Sequence, residues 1–237
     1  MEVFVFVIFF VGIVALFCIF AYLNYLAEKR RSEELSALAA ELGWRFHADR
    51  DRDHDDEYAY FRIFRRGDNR YAFNTFYGTL TIDGRDYEAK MGDFHYEVTS
   101  GSGEHESTTT YLISYLITQL PFPEVPELLI RPEGFFDKLK GLIGFDDIDF
   151  ESAEFSRQFF VKSSDKRFAY DVIDPRMMEF LLKSNPLVID LKKSRGLFTD
   201  DRNRWSPHEF RQTLEWARQF FDRWPDHLQD SLEKTSS

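Results

Sequence analysis

From Val3 to Leu26 the chain is one apolar run, and between Val3 and Leu23 it carries no charged side chain. A hydrocarbon layer about 30 Å thick is crossed by about 20 such residues, each rising about 1.5 Å in a helix. The run is rich in Phe, Val and Ile, which are mediocre helix formers in water. Lipid offers no partner to a backbone N–H or C=O, however, so the segment must pair its own groups. The sequence therefore predicts a transmembrane anchor over residues 1–26. A cleaved signal peptide would start with basic residues and close a shorter apolar core with small ones. This chain starts Met1-Glu2, and its Ala15-Leu16-Phe17-Cys18, which is similar to a lipoprotein cleavage site, places a bulky Phe before the cysteine.

The flanks orient the anchor. Lys29, Arg30 and Arg31 follow it and Glu2 precedes it, so the positive-inside rule puts the N-terminus outside and the C-terminal bulk in the cytoplasm of a single-pass cell-membrane protein. Tyr22, Tyr25, Lys29, Arg30 and Arg31 are the expected membrane-interface residues, with the lipid bilayer as partner. Leu35, Leu38, Ala39 and Leu42 then recur at helical spacing up to Gly43, a frequent helix terminator. That predicts a helical stalk over 27–43, a soluble domain over 44–226 with room for a subdivision near 120–132, and a disordered tail over 227–237.

The domain reads as α+β, an antiparallel meander with packed helices. Trp44 and Phe46 suggest a first strand. Asp49 to Glu57 reads as a solvated acidic loop in which Arg50 and Arg52 weaken a calcium-loop resemblance, since His54 and Tyr60 stand where Gly and Glu are required. Tyr71, Phe73, Thr75 and Tyr77 fall on one face of a strand, Asp83-Gly84 marks a hairpin, and Phe94 to Val98 and Tyr111 to Ile117 alternate again. Pro132 precedes an expected helix over Glu133 to Ile143. Two strands are expected around Ile148 to Phe150 and Phe155 to Val161. Helices are expected from Asp165 and from Asp174-Pro175, and a hairpin turning at Arg195-Gly196. The last helix carries the strongest local signal: Ser206-Pro207-His208-Glu209 supplies an N-cap, a first-turn proline and a capping box. Phe210, Leu214, Ala217, Phe221 and Trp224 then form a stripe expected to pack on the sheet.

Charge and cysteine content exclude several chemistries. The formal charge is −11, and about −12 without Glu2, Glu28 and the three cations after the span, so the domain repels phosphate backbones and nucleic acid is not expected. Cys18, inside the span, is the only cysteine. The domain therefore has no disulfide, thiolate metal site or cysteine nucleophile. His105-Glu106 and His208-Glu209 begin like a zinc-protease helix, but Thr109 and Gln212 replace the second histidine. Ser100-Gly101-Ser102-Gly103-Glu104 lacks the lysine of a phosphate loop and reads as a flexible hairpin loop. On a strand, Asp147, Asp149 and Glu151 share one face and are the candidate metal ligands. The solvated side of an edge strand, with Ile148 and Phe150 buried, is the favoured reading. No catalytic or cofactor-binding pattern is found.

The span and stalk ending in Gly43-Trp44-x-Phe46, the Gly-x-Gly hairpin loop, Leu120-Pro121 leading to Pro132-Glu133-Gly134, Asp147-Ile148-Asp149-Phe150 and Phe155-Ser156-Arg157 together resemble a family of uncharacterised bacterial single-pass membrane proteins. The resemblance implies the same anchored architecture and no activity. The expected function is a non-catalytic binding or scaffolding module at the membrane, with a protein partner as a candidate occupant. The alternatives are a metal-dependent enzyme using the acidic cluster, or a module that takes a hydrophobic ligand between sheet and helices.

Overall fold

The computed structural model describes residues 2–120, 122, 125–133, 148–184, 187–228 and 232. In it the apolar run and its continuation are one helix, α1 (Glu2–Leu42), about 60 Å long at about 1.5 Å per residue. It is long and apolar enough to cross a membrane, and no part of its apolar window is covered by the rest of the chain. The later turns differ: Leu35, Leu38 and Ala39 are fully buried against the sheet. Gly43 ends the helix at φ +70°, the left-handed conformation that closes many helices.

The meander is β1 (Arg45–His47), β2 (Asp68–Ile82), β3 (Arg85–Ser100) and β4 (Ser107–Gln119). Asp83 and Gly84 both take positive φ, the turn whose twist matches a hairpin. Between the first two strands lie the short helix α2 (His54–Glu57) and a 3-10 turn at Arg62–Arg65. The second half adds β5 (Leu128–Pro132), α3 (Ala153–Gln158), β6 (Phe159–Ser163), α4 (Lys166–Val172), α5 (Pro175–Lys183), β7 (Val188–Lys192), β8 (Arg195–Thr199) and α6 (Pro207–Phe221). Among the described residues these strands form one eight-stranded antiparallel sheet, ordered β1-β2-β3-β4-β8-β7-β5-β6. The fold is α+β, as the sequence predicts.

The sheet is packed on both faces. One face, carrying Phe76, Met91, Leu116 and Phe198, meets α1 and α6. The other, carrying Ala72, Phe94, Ile113 and Tyr115, is capped by Tyr58, Phe61 and Phe64. In α6 the Ser206 side chain accepts from Glu209 N and the Glu209 carboxylate accepts from Ser206 N, a complete capping box. Phe210, Leu214, Ala217 and Phe221 are buried below it, each large side chain contributing about 2 kcal/mol by area removed from water.

Several expectations are corrected. Phe155 and Arg157 lie in α3, because Ser152 caps a helix by accepting from Phe155 N. Phe155 and Phe159, four apart, stack at 5.0 Å, a spacing that fits a helix as well as a strand. The hairpin turn sits at Lys193-Ser194, both at positive φ, while Gly196 lies within β8, where a Cβ would come within 3.2 Å of Leu120 and Leu191. Tyr71 and Phe73 do not share a face with Thr75 and Tyr77: a bulge between Phe73 and Phe76, with Asn74 at φ +48°, switches the alternation. Ala72 and Phe76 accordingly pack on opposite faces. β5 was not expected. Its Pro132 is tolerated because the pairing with β7 spans only Leu128 to Ile130, so no ladder bond to that neighbour is lost. The expected helix over Glu133 to Ile143 lies outside the described residues except for Glu133, as does most of the polar tail.

Candidate functional site

Two concavities stand out, one on each face of the sheet. The first, about 580 Å³, lies where β2 and β3 meet the end of α1, and its walls include Trp44, Tyr58, Tyr77, Lys90 and Arg195. Trp44 lies flat on Gly78, where a Cβ would collide with the indole. The Lys90 side chain is 7% exposed; its Nζ is 3.1 Å from Asp51 and 3.4 Å from Glu57. It also stands over the rings of Tyr58 and Tyr77 at 5.0 and 5.3 Å. An ammonium taken out of water needs such partners, because burial alone costs several kcal/mol.

The expectation of a solvated acidic loop is thereby corrected in part: Asp49, Arg50, Arg52, Asp53, Asp56 and Glu57 are exposed, but the stretch is tied down by His54 and Asp55, which are buried, and by ion pairs. Asp51 and Glu57 hold Lys90, Asp55 is buried against Arg70 at 2.7 Å, and Asp56 pairs with Arg65 at 3.1 Å. Its cations are protein side chains. His54 is fully buried beneath them, with Phe64 and Tyr115 at 4.5 and 4.7 Å between ring centroids, and neither ring nitrogen makes a hydrogen bond among the described residues. Burial, then the charge of Lys90, holds the imidazole well below its ordinary range. Burial, then Glu57, raises the Tyr58 phenol. Burial likewise raises Tyr115, a rise that the Thr75 hydroxyl only partly offsets.

The other face is organised by Asp93, fully buried in β3. Its carboxylate accepts two bonds from Arg31 of α1, at 2.7 and 2.8 Å, one from Ser114 Oγ at 2.7 Å and one from Asn74 at 3.3 Å. Ser114 Oγ in turn accepts from the backbone N–H of Trp205. Arg204 pairs with Glu28 at 2.6 Å, and Arg211 pairs with Glu41. These bonds latch the second part of α1 to the domain, and Glu28 and Arg31 lie within two turns of the end of the apolar run. Charge-assisted, bidentate bonds of this kind are the stronger class.

Beside that latch runs the second concavity, about 470 Å³, between α6 and the segment after β8. Leu187, Trp205 and Thr213 are buried in its floor and Trp216 is half-buried beside them. Trp216 Nε1 is buried and makes no hydrogen bond among the described residues. Arg202, Glu209 and Glu215 stand exposed at the rim. An apolar floor with polar groups at its edge suits an amphiphilic molecule better than a purely charged one.

The residues singled out from sequence fall in different places. Tyr22 and Tyr25 are exposed on α1; Lys29 and Arg30 pair along the helix with Glu33 and Glu34, whereas Arg31 turns inward to Asp93. Asp149 and Glu151 are exposed on an irregular segment, and Tyr170 donates to the backbone carbonyl of Asp149. Asp147 lies outside the described residues. Among the described residues no group of three or more His, Cys, Asp or Glu side chains is placed to hold a metal. His208 is exposed in the first turn of α6 and His105 in a 3-10 turn. Lys90, Asp93 and His54, buried polar groups beside the two concavities, are not singled out as site residues by the sequence alone. The available signal was a charged residue inside an otherwise apolar strand, as in Ala89-Lys90-Met91 and Gly92-Asp93-Phe94.

No family model matches the sequence, and no curated protein does. Among solved structures, the chain is similar in fold to the mycobacterial trehalose monomycolate transport factor A, TtfA. The TM-score is 0.56 at 10% sequence identity, and the match covers 82% of this chain and 96% of that one. At that identity the likeness is one of fold.

Proposed function

We propose that the protein is a membrane-anchored, non-catalytic binding module that holds an amphiphilic, lipid-like molecule in the groove beside α6. The observation that carries this reading is the placement of the groove. Asp200, Arg202, Asn203 and Trp205 line it on either side of Arg204, whose partner Glu28 is two residues past the apolar run. In this reading the groove lies close to where α1 leaves the bilayer, within reach of a molecule at its surface. The name of the fold neighbour, a trehalose monomycolate transport factor, supports an amphiphilic ligand. In this reading α1 spans the cell membrane with its N-terminus outside and the domain in the cytoplasm, as Lys29, Arg30 and Arg31 after the span favour. Native mass spectrometry of the full-length protein released from nanodiscs tests the proposal. A bound amphiphile is expected, and Gln212→Trp, at an exposed position on the groove wall, should abolish it. Protein free of amphiphile, or equal occupancy in the variant, would contradict it.

A further inference from the structure

The direction of the strands relative to α1 brings a second surface to the bilayer. Trp44, just past the end of α1, covers Gly78, and Gly78 pairs with Ala89. Arg31, earlier on the helix, holds Asp93. Moving along β3 from Ala89 to Asp93 therefore runs back toward the N-terminal end of α1. His95 lies about 7 Å beyond Asp93 at strand rise, and Glu28 about 4.5 Å before Arg31 at helix rise, so the two stand at similar depth. The charge of Glu28 accordingly acts on Tyr71, the ring that stacks on His95 at 4.4 Å and 13°. Over the same tyrosine lie the guanidinium groups of Arg50 at 4.4 Å and Arg52 at 5.5 Å. Both arginines are exposed. Arg52 bonds the side chain of Asn69 at 3.4 Å, and neither arginine lies within ion-pair distance of a carboxylate among the described residues. Of the neighbouring acids, Asp51 is held by Lys90, Glu28 by Arg204, and Glu97 by Asn69 at 2.8 Å with His95 at 3.6 Å, whereas Asp49 and Asp53 stand exposed beside the two arginines.

We infer that Arg50 and Arg52, held on the Tyr71 platform, bind the phosphates of anionic phospholipids in the bilayer that α1 crosses, giving the domain a second membrane contact. The guanidinium fork matches a phosphate bidentately, and tyrosine is enriched at headgroup depth. A cation at an anionic surface contributes about 1 kcal/mol, so two set an upper limit of about 30-fold on the shift of the docked and undocked populations, which the exposed Asp49 and Asp53 reduce to several-fold. The contact also offsets the repulsion that a domain of net negative charge meets at such a surface.

Amide hydrogen exchange on the full-length protein tests this, comparing nanodiscs of phosphatidylcholine alone with nanodiscs about one-third phosphatidylglycerol. Exchange over residues 48–53 and 69–73 is expected to slow several-fold in the anionic discs and to recover in high salt. The Arg50→Lys/Arg52→Lys variant should keep most of the protection, and Arg50→Ala/Arg52→Ala should lose it while β3 and β4 remain protected. Exchange in the wild-type protein that is indifferent to lipid charge would overturn the inference. So would slowing that persists in the alanine variant.

Discussion

The Lys90 cleft and the α6 groove are similar in size but opposite in construction. The cleft is walled with charge, and most of its charges are already spent on one another: Lys90 on Asp51 and Glu57, Arg195 on Glu88, while Arg45 lies over the Tyr77 ring at 5.9 Å. A ligand that engages Lys90 or Arg195 would have to break a pair for each one it makes, which leaves little net gain. The groove has its charges at the rim and indole and aliphatic surface in its floor, with one buried N–H unsatisfied. Filling it removes apolar surface from water and gives that donor a chance of a partner. The two also differ in depth, since the cleft sits where α1 ends and the groove beside the turns that leave the membrane. Size alone does not mark a binding site; what the walls still lack does.

Breaking the latch is expected to have the largest effect. Asp93→Ala strands Arg31, which is 16% exposed, and should destabilise the domain by about 3–5 kcal/mol in chemical denaturation, the range for removing one partner of a buried pair. A loss under about 1 kcal/mol would mean that the latch does not hold the groove at the membrane.

Next is the imidazole under the cleft. With its folded pKa depressed, His54 stays neutral in the fold while the unfolded chain takes up a proton below about pH 6.5. Its contribution is therefore intact above that pH and is lost as the pH falls toward the folded value. Unfolding free energy should drop by up to about 2 kcal/mol between pH 6.5 and 5. In His54→Phe that contribution to the slope should vanish, and a slope unchanged by the substitution would refute the assignment. The cleft's own charge comes third. Lys90→Met leaves Asp51 and Glu57 29% and 58% exposed, free to turn to water, so the cost should be about 1 kcal/mol with no change in lipid content. The smallest effect on stability is expected in the groove: Gln212→Trp should change the unfolding free energy by less than about 0.5 kcal/mol while removing the ligand.

Much of this architecture was legible because local chemistry and global packing agree. The anchor, the stop at Gly43, the Asp83-Gly84 turn and the caps at Asp165, Asp174 and Ser206 each follow from a rule acting within a few residues. The failures have a common cause in contacts that come from afar. The bulge at Asn74 reverses strand parity without a glycine to announce it. The acidic stretch looked solvated throughout because its partners, Lys90 and Arg70, arrive from other strands. The pairing of Arg31, expected at the interface, with Asp93 was not foreseen because the sequence around the span does not show that carboxylate. The groove was foreseeable only as a stripe on α6; its other wall, Leu187 and the segment from Asp200 to Trp205, depends on how the sheet closes.

Site-specific photocrosslinking in nanodiscs holding an alkyne-tagged phospholipid tests the central claim most directly, with benzoylphenylalanine placed at Gln212 in the groove or at Thr79 in the cleft, both exposed wall positions. Strong lipid labelling at 212 and background labelling at 79 is the predicted result. Labelling at 79 equal to or above that at 212 would contradict it.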